Sequence, residues 1–458
     1  MPSSRREREL LARVNFPLYT LQMLTNRHIL VAGGGGSSKT GVANGFEIFE
    51  LSHDGKRYVV EEVIRHETGL NAVMNCDTAV GYIKSSRGQK ILLAAGQEGN
   101  CQLYSVSVDM ETSGEVMNNG DVQPKKDGLR KRRTSEKHED VNGHGPKSAG
   151  SKTEGSKVEE VQSSGSSCSR VSFDIKPQVC IQTDFSKVEP LQRVVRLGHC
   201  QQLMATGGTD GHVRLWKFPS QEDSELIHKP TLHIDLAAHS KEVDDLALSP
   251  DDNWLASISK DGLAIIWDTK TGKKLRKLTW AIPEGTKYLF KRCRGPCHLF
   301  TISNRVGWQG AHGLCKGGVG AYLHLWNPTP EGGEPIKGIT CGESLSALAV
   351  SDDGRFVSTG TMFSGSVDIF IAFSLQRVLH VKGAHSMFIT GLEFVPTREE
   401  YGPAISTDTE TAVISISVDN HVCIHSIATR STVSFWVAIV LVTMTMFLAF
   451  CLCSYLGL

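Results

Sequence analysis

Two stretches of this chain repeat one another. LMATGGTDGHVRLWKF ends at Phe218 and WLASISKDGLAIIWDT ends at Thr269. Each reads as a strand, a turn holding an acidic residue and a glycine, and a second strand closing on tryptophan. Asp210 precedes Trp216 by six residues, and Asp261 precedes Trp267 by the same interval. A tight turn plus one strand of alternating faces fills that interval. Such a repeat decides the fold, because each copy is one supersecondary unit that is stable only when stacked on its neighbours.

Carrying the six-residue offset along the chain finds weaker copies: Ala43 to Phe49, Glu98 to Tyr104, Gly320 to Trp326, Ser364 to Phe370 and Asp419 to His425. The seven closing residues are separated by 55, 112, 51, 59, 44 and 55 positions. The outlier contains a segment, residues 111–178, that is rich in Gly, Ser, Lys and Glu and nearly free of aromatics. Such a composition buries too little apolar surface to offset the entropy of ordering, so the segment is expected to be a disordered insertion between blades two and three. Removing it leaves a spacing of about 44, within the WD-repeat period of roughly 40 to 45. The expected fold class is therefore all-β, a seven-bladed WD-repeat β-propeller over residues 15–430.

The resemblance to the WD family is strongest at Ala238 to Asp268. His239 stands in an Ala-His where the family has Gly-His, Asp261 stands in the turn, and Trp267-Asp268 ends the strand. The resemblance implies that His239, Asp261, Trp267 and either Ser257 or Ser259 form a hydrogen-bonded network stapling the blade, with Asp210 and Trp216 in the matching positions one repeat earlier. This role is structural. A His and an Asp at this spacing also suggest catalysis, but in WD repeats the histidine is a satisfied core residue.

The chain ends differently. Val433 to Leu458 carries no charged side chain. As a helix it would reach roughly 39 Å, enough to cross a hydrocarbon core of about 30 Å. A C-terminal transmembrane helix is expected at 433–455, with 456–458 as a short lumenal end. The first residues, MPSSRREREL, are charged and lack an apolar signal region, so residues 1–14 read as a polar segment and the propeller is expected to face the cytosol.

Composition narrows the function. With 49 basic and 49 acidic residues, the chain has no global field to attract nucleic acid. A basic run within the insertion, Lys125, Lys126, Arg130, Lys131, Arg132 and Arg133, is read as solvated, since no stacking aromatics accompany it. The twelve cysteines are scattered and read as reduced thiols. Cys293, Cys297, His298, His312 and Cys315 cluster without the spacing of a zinc finger or ribbon, which favours a loop or core role over a metal site.

One blade is expected to stand apart. Between HILVA and FEIFEL runs Gly33-Gly34-Gly35-Gly36-Ser37-Ser38-Lys39-Thr40-Gly41-Val42-Ala43-Asn44-Gly45, where the other blades are read as turning in two to four residues. Four successive glycines permit positive φ and a close approach of backbone to a ligand. GGGGSSKT is one residue from a P-loop, but a P-loop needs a helix after the Lys-Thr, and here the strand pattern Phe46-Glu47-Ile48-Phe49 follows. Nucleotide hydrolysis is rejected on that ground. A monovalent cation held by inward carbonyl oxygens, or a protein partner, is the alternative.

The whole pattern closely resembles the prolactin regulatory element-binding protein family, the animal endoplasmic reticulum exchange factor for the small GTPase that starts COPII coat assembly. Further matches are NFPLYTLQ at Asn15–Gln22, QTDFSKVEPLQRVV at Gln182–Val195, ATGGTDGHVRLWK at Ala205–Lys217 and IAFSLQRVLHV at Ile371–Val381. The resemblance implies a guanine-nucleotide exchange factor that performs no covalent chemistry, in the endoplasmic reticulum membrane. It also implies that the loop Gly33 to Gly45 binds potassium and meets the GTPase. Gly33, Gly34, Gly35 and Gly36 would then form the backbone cradle for K⁺, with Gly41 and Asn44 completing it, and Lys39, Thr40 and Asn44 would reach the partner or the ion. No small-molecule substrate and no nucleic acid are expected. The competing readings are a non-catalytic anchored scaffold for coat or tether proteins and, more remotely, a DNA-binding transcription regulator acting through the basic insertion.

Overall fold

The computed structural model describes residues 9–37, 41–80, 89–111, 170–200, 202–219, 226–295, 298–307, 318–327, 333–398, 405, 407–429 and 435–456. Its strands fall into seven four-stranded antiparallel sheets. After β1 (Glu9–Arg13), blade one holds β2 (Leu18–Met23), β3 (His28–Gly34), β4 (Asn44–His53) and β5 (Tyr58–Glu67). Blade two holds β6 (Asn75–Val80), β7 (Gln89–Gln97), β8 (Asn100–Glu111) and β9 (Arg170–Gln182). Blade three holds β10 (Gln192–Leu197), β11 (Leu203–Gly208), β12 (Val213–Lys217) and β13 (Thr231–Leu236), and blade four holds β14 (Val243–Leu248), β15 (Trp254–Ser259), β16 (Ala264–Asp268) and β17 (Lys274–Lys277). Blade five comprises β18 (Tyr288–Arg294), β19 (Leu299–Arg305), β20 (Ala321–Trp326) and β21 (Pro335–Cys341). Blade six comprises β22 (Leu345–Val350), β23 (Phe356–Thr361), β24 (Val367–Ile371) and β25 (Gln376–Val381), and blade seven β26 (Ile389–Phe394), β27 (Thr409–Ser417) and β28 (His421–Ala428). The first strands of successive blades touch in an unbroken cycle from β2 to β26 and back, and they line the central channel. This is the expected seven-bladed propeller.

All seven closing residues, Phe49, Tyr104, Trp216, Trp267, Trp326, Phe370 and His425, lie in the third strand of their blades and are buried. In five blades the ladder to the fourth strand shifts register at that residue, as between Leu215 and Trp216 or Ile266 and Trp267. A bulge re-aims a side chain, and here it accompanies an aromatic ring set among buried side chains. Apolar faces of neighbouring blades then interleave. Phe290 and Cys293 of blade five pack with Ile258 and Ile266 of blade four, for example.

Three boundaries differ from the sequence reading. The N-terminal segment 1–14 is not merely polar. β1 pairs antiparallel with β28, becomes the outermost strand of blade seven and closes the ring. The insertion does not separate blades two and three. It joins β8 to β9 inside blade two, and because β9 begins at Arg170 it ends before residue 178. Phe173 and Ile175 point into the core while Asp174 and Lys176 stay outside, the period-2 alternation of a real strand. The basic run at 125–133 lies outside the described residues.

Helix α1 (Phe435–Leu456) follows blade seven. Trp436 to Leu456 has a mean hydropathy of 2.5 and none of the window is buried against the rest of the chain. A helix apolar on every side with nothing packed over it suits a lipid surround. Residues 433–434 and 457–458 of the expected span and its lumenal end lie outside the described residues.

Candidate functional site

The glycine loop is shorter and more tightly based than its sequence suggests. Gly33 and Gly34 are the end of β3, paired with Gly45 and Asn44 at the start of β4, so the excursion runs from 35 to 43. Gly33 is glycine because a Cβ there would collide with the Pro17 carbonyl oxygen. At Gly34, φ is +142° and a Cβ would collide with Asn44 Oδ1. These two glycines serve the blade. Gly36 and Gly41, with φ of +79° and +76°, face open space and serve the loop.

Asn44 holds the base together. Its Oδ1 accepts from the Gly36 N–H at 2.9 Å, and its Nδ2 donates to the carbonyls of Gly36 at 3.2 Å and Gly69 at 3.0 Å. The side chain is buried, so its amide is spent on joining the loop to the 68–74 connector between blades one and two, not on reaching outward. Ser37, Gly41, Val42 and Ala43 are exposed beside it. Lys39 and Thr40 lie outside the described residues.

Two of the four cradle oxygens already accept hydrogen bonds. Gly33 O accepts from Val73 N–H at 3.4 Å and Gly36 O accepts from Asn44, while Gly33 and Gly34 are locked in the ladder. Among the described residues no group of three or more His, Cys, Asp or Glu side chains could hold a metal. Cys293 is a buried strand residue whose N–H donates to Asp245, which accords with a core role, and Cys297, His312 and Cys315 lie outside the described residues.

Loop length does not single out blade one. The second and third strands of blade five, β19 and β20, are separated by residues 306–320, a longer connection on the same face. That face gathers all the connections between second and third strands and those between blades. It exposes Val42, Leu70, Met74, Phe185 and Val188 around blades one to three.

The staple in blade four is as expected, with Ser257 as its serine. His239 Nδ1 lies 3.0 Å from Asp261 and its Nε2 2.8 Å from Ser257 Oγ, which also accepts from Trp267 Nε1 at 2.8 Å. Ser259 instead donates to the Lys241 carbonyl. Burial lowers the His239 pKa against the opposing pull of Asp261, so the imidazole is a neutral relay of hydrogen bonds. Asp210 and Trp216 do not form a second copy through a histidine. Asp210 pairs with Arg214 at 2.8 Å, Trp216 donates to Thr206, and Asp184 occupies the place of the histidine, accepting from Asp210 N–H.

A second staple was missed in the sequence. His385 bridges Asp419 at 3.1 Å and Ser415 at 2.8 Å, and Ser415 contacts His425 Nε2 at 2.9 Å. Ala384-His385 repeats Ala238-His239, but the closing residue is His425, so the tryptophan that flags the motif is absent. Both histidines are fully engaged, which leaves neither as a catalytic base.

Known proteins support and extend this picture. Residues 230–268 match the WD domain, G-beta repeat family. The guanine nucleotide-exchange factor SEC12 of Mus musculus is 32% identical over 445 residues, covering 94% of this chain and 93% of that protein, and the Rattus norvegicus protein of the same name matches equally. Protein HIR1 of Cryptococcus neoformans is 33% identical over 195 residues, but that covers 40% of this chain and 20% of HIR1, the reach of shared repeats. A match covering nearly all of both chains is of another kind: this chain belongs to the family of the guanine nucleotide-exchange factor SEC12.

Proposed function

We propose that the chain is a guanine-nucleotide exchange factor at the endoplasmic reticulum membrane. Its partner is the small GTPase that initiates COPII assembly, and α1 is a single-pass anchor that leaves the propeller in the cytosol. The carrying observation is the similarity to SEC12 exchange factors over 94% of this chain and 93% of theirs. The buried, satisfied histidine staples support a mechanism without covalent chemistry.

Exchange then works by linkage. A factor that binds the nucleotide-free GTPase more tightly than the nucleotide-bound form lowers nucleotide affinity by the same factor. Each 1.4 kcal/mol of that preference loosens the nucleotide about tenfold. The surplus of GTP over GDP sets the direction, and the anchor sets the place. The structural contribution of this chain is a loop whose base is fixed by Asn44, which ties Gly36 to the connector at Gly69. Preorganisation of this kind reduces the ordering cost of engaging a partner. Potassium remains part of the proposal through the exposed portion of the loop, and no step is derived through the ion.

The test is GDP release from the purified COPII GTPase, with the full chain in vesicles, in potassium and in sodium buffer. A variant carrying Gly36→Ala and Gly41→Ala changes the loop and spares the ladder glycines. Acceleration by the native chain, reduced about tenfold or more in the variant, supports exchange through the loop, since tenfold corresponds to about 1.4 kcal/mol of lost stabilisation. Binding without acceleration would leave an anchored scaffold. Equal rates in the two buffers would remove potassium alone.

A further inference from the structure

The chain leaves the propeller on the side opposite the glycine loop. β28 starts at the turn following Ser417 and ends at Ala428, which pairs with Thr409 at the start of β27. Residues 35–43 connect β3 to β4, at the far end of blade one. Because the inner strands of a closed propeller all run the same way, Ala428 and this loop open onto opposite faces.

The exit point is fixed by contacts on both flanks. Thr429 N–H donates to Asp408 O at 2.9 Å, and Thr409 Oγ1 lies 2.8 Å from the Tyr58 hydroxyl of blade one, directly after exposed Lys56 and Arg57. On the other flank Arg355 reaches Glu410 at 2.6 Å and accepts, through its carbonyl, the N–H of Ala372 beside Phe373. Phe373 is 79% exposed at the tip of its turn. Acidic groups are present here too. Asp54 lies 3.7 Å from Arg57, and Asp353 and Glu410 engage Arg355.

From Thr429 to Phe435 the chain can span at most roughly 20 Å. Strands of five to seven residues at about 3.3 Å each put the opposite face roughly 20 Å further off. We propose that the face around Lys56, Arg57 and Phe373 lies against the bilayer that holds α1, its cations on headgroups and its phenylalanine at the interface, and that the glycine loop points away from the membrane. An aromatic ring and basic side chains beside a membrane-spanning helix suit that boundary. The inference rests on α1 being a membrane anchor and is independent of whether exchange occurs.

The test uses the full chain in phosphatidylcholine–phosphatidylserine vesicles containing a lipid with a nitroxide on its headgroup. A fluorescent amino acid replaces Lys56, Phe373 or Leu70, the last of these 78% exposed on the loop face. The expected result is quenching several-fold stronger at 56 and 373 than at 70. Equal quenching at all three sites, or the strongest at 70, would overturn the orientation. Extraction of the same vesicles with alkaline carbonate separates the two readings. Release of the chain would overturn the anchor and the orientation together, whereas retention with quenching at 70 would overturn only the orientation.

Discussion

At the scale of single residues, identity matters most where a buried polar side chain joins several others. His385 joins Asp419, Ser415 and, through the serine, His425. His385→Ala strands polar groups in the interior, and each unsatisfied group costs about 1–3 kcal/mol, so the urea midpoint should fall clearly; an unchanged midpoint would show the staple to be idle. Protonation adds a second expectation. Burial lowers His28 and His324 to about 4, with Arg27 adding to the effect at His28, and it lowers His239 as well. Unfolded imidazoles take up protons near pH 6.5, so between about 6.5 and 4 the unfolded state binds more protons and folded stability rises with pH. Burial also raises Glu393 to about 7 and raises Glu47, and these carboxyls act in the opposite sense. The three histidines outweigh them, so tryptophan-monitored unfolding in urea should show a lower midpoint at about pH 5 than at about pH 7.5, and a midpoint that falls as pH rises across that range would contradict the assignment. The blade-four staple was legible in the sequence because Ala238-His239, Asp261-Gly262 and Trp267-Asp268 stand together at the spacing of a WD repeat. Its blade-seven counterpart was hidden by one substitution, His425 where tryptophan carries the signal.

At the scale of the element, what a strand does depends on where its partner is. ELLAR reads as a charged start, yet as β1 it covers β28, with Leu11 and Ala12 packed on the core of blades seven and one. Nothing within those residues announces a partner more than four hundred positions away. Deleting residues 1–13 should expose the β28 edge and cost several kcal/mol at about 0.5–1.5 per ladder bond, read as a lower thermal midpoint and faster proteolysis; an unaltered midpoint would mean the closure is ornamental. β9 escaped notice because it follows a low-complexity tract and carries Pro177. An outermost strand tolerates the missing N–H. The glycine loop was half legible. Composition flags the positive φ at Gly36 and Gly41, but that Gly33 and Gly34 belong to the ladder follows only from the approach of Pro17 and Asn44. Gly33→Ala should accordingly cost about 1–3 kcal/mol or more, since the Pro17 backbone must move, whereas Gly36→Ala should cost only its positive-φ strain, at most about 1–2 kcal/mol. The reverse ranking would mean that the loop, not the ladder, needs its glycines.

At the scale of the whole molecule, the ring separates what must be continuous from what is merely carried. Blade two keeps its four-stranded sheet although β8 and β9 are separated by residues 112–169. The propeller needs β9 beside β8, but it has no structural need for the long connection. Closing a long loop is entropically dearer than closing a short one by about 0.6 kcal/mol per doubling of length. Replacing 112–169 with a four-residue turn removes nearly four doublings, so the shortened chain should gain roughly 2 kcal/mol, provided the new turn is unstrained. The gain should appear as a higher urea midpoint with an unchanged slope, because the surface exposed on unfolding barely differs. A loss of stability would show that the insertion packs on the blade and is part of the fold. The same variant bears on function. The insertion springs from the third-to-fourth-strand side, the side from which α1 departs, while the glycine loop opens on the other. If exchange works through the loop, GDP release should survive the deletion in full, and any dependence on the insertion should be confined to events at the membrane.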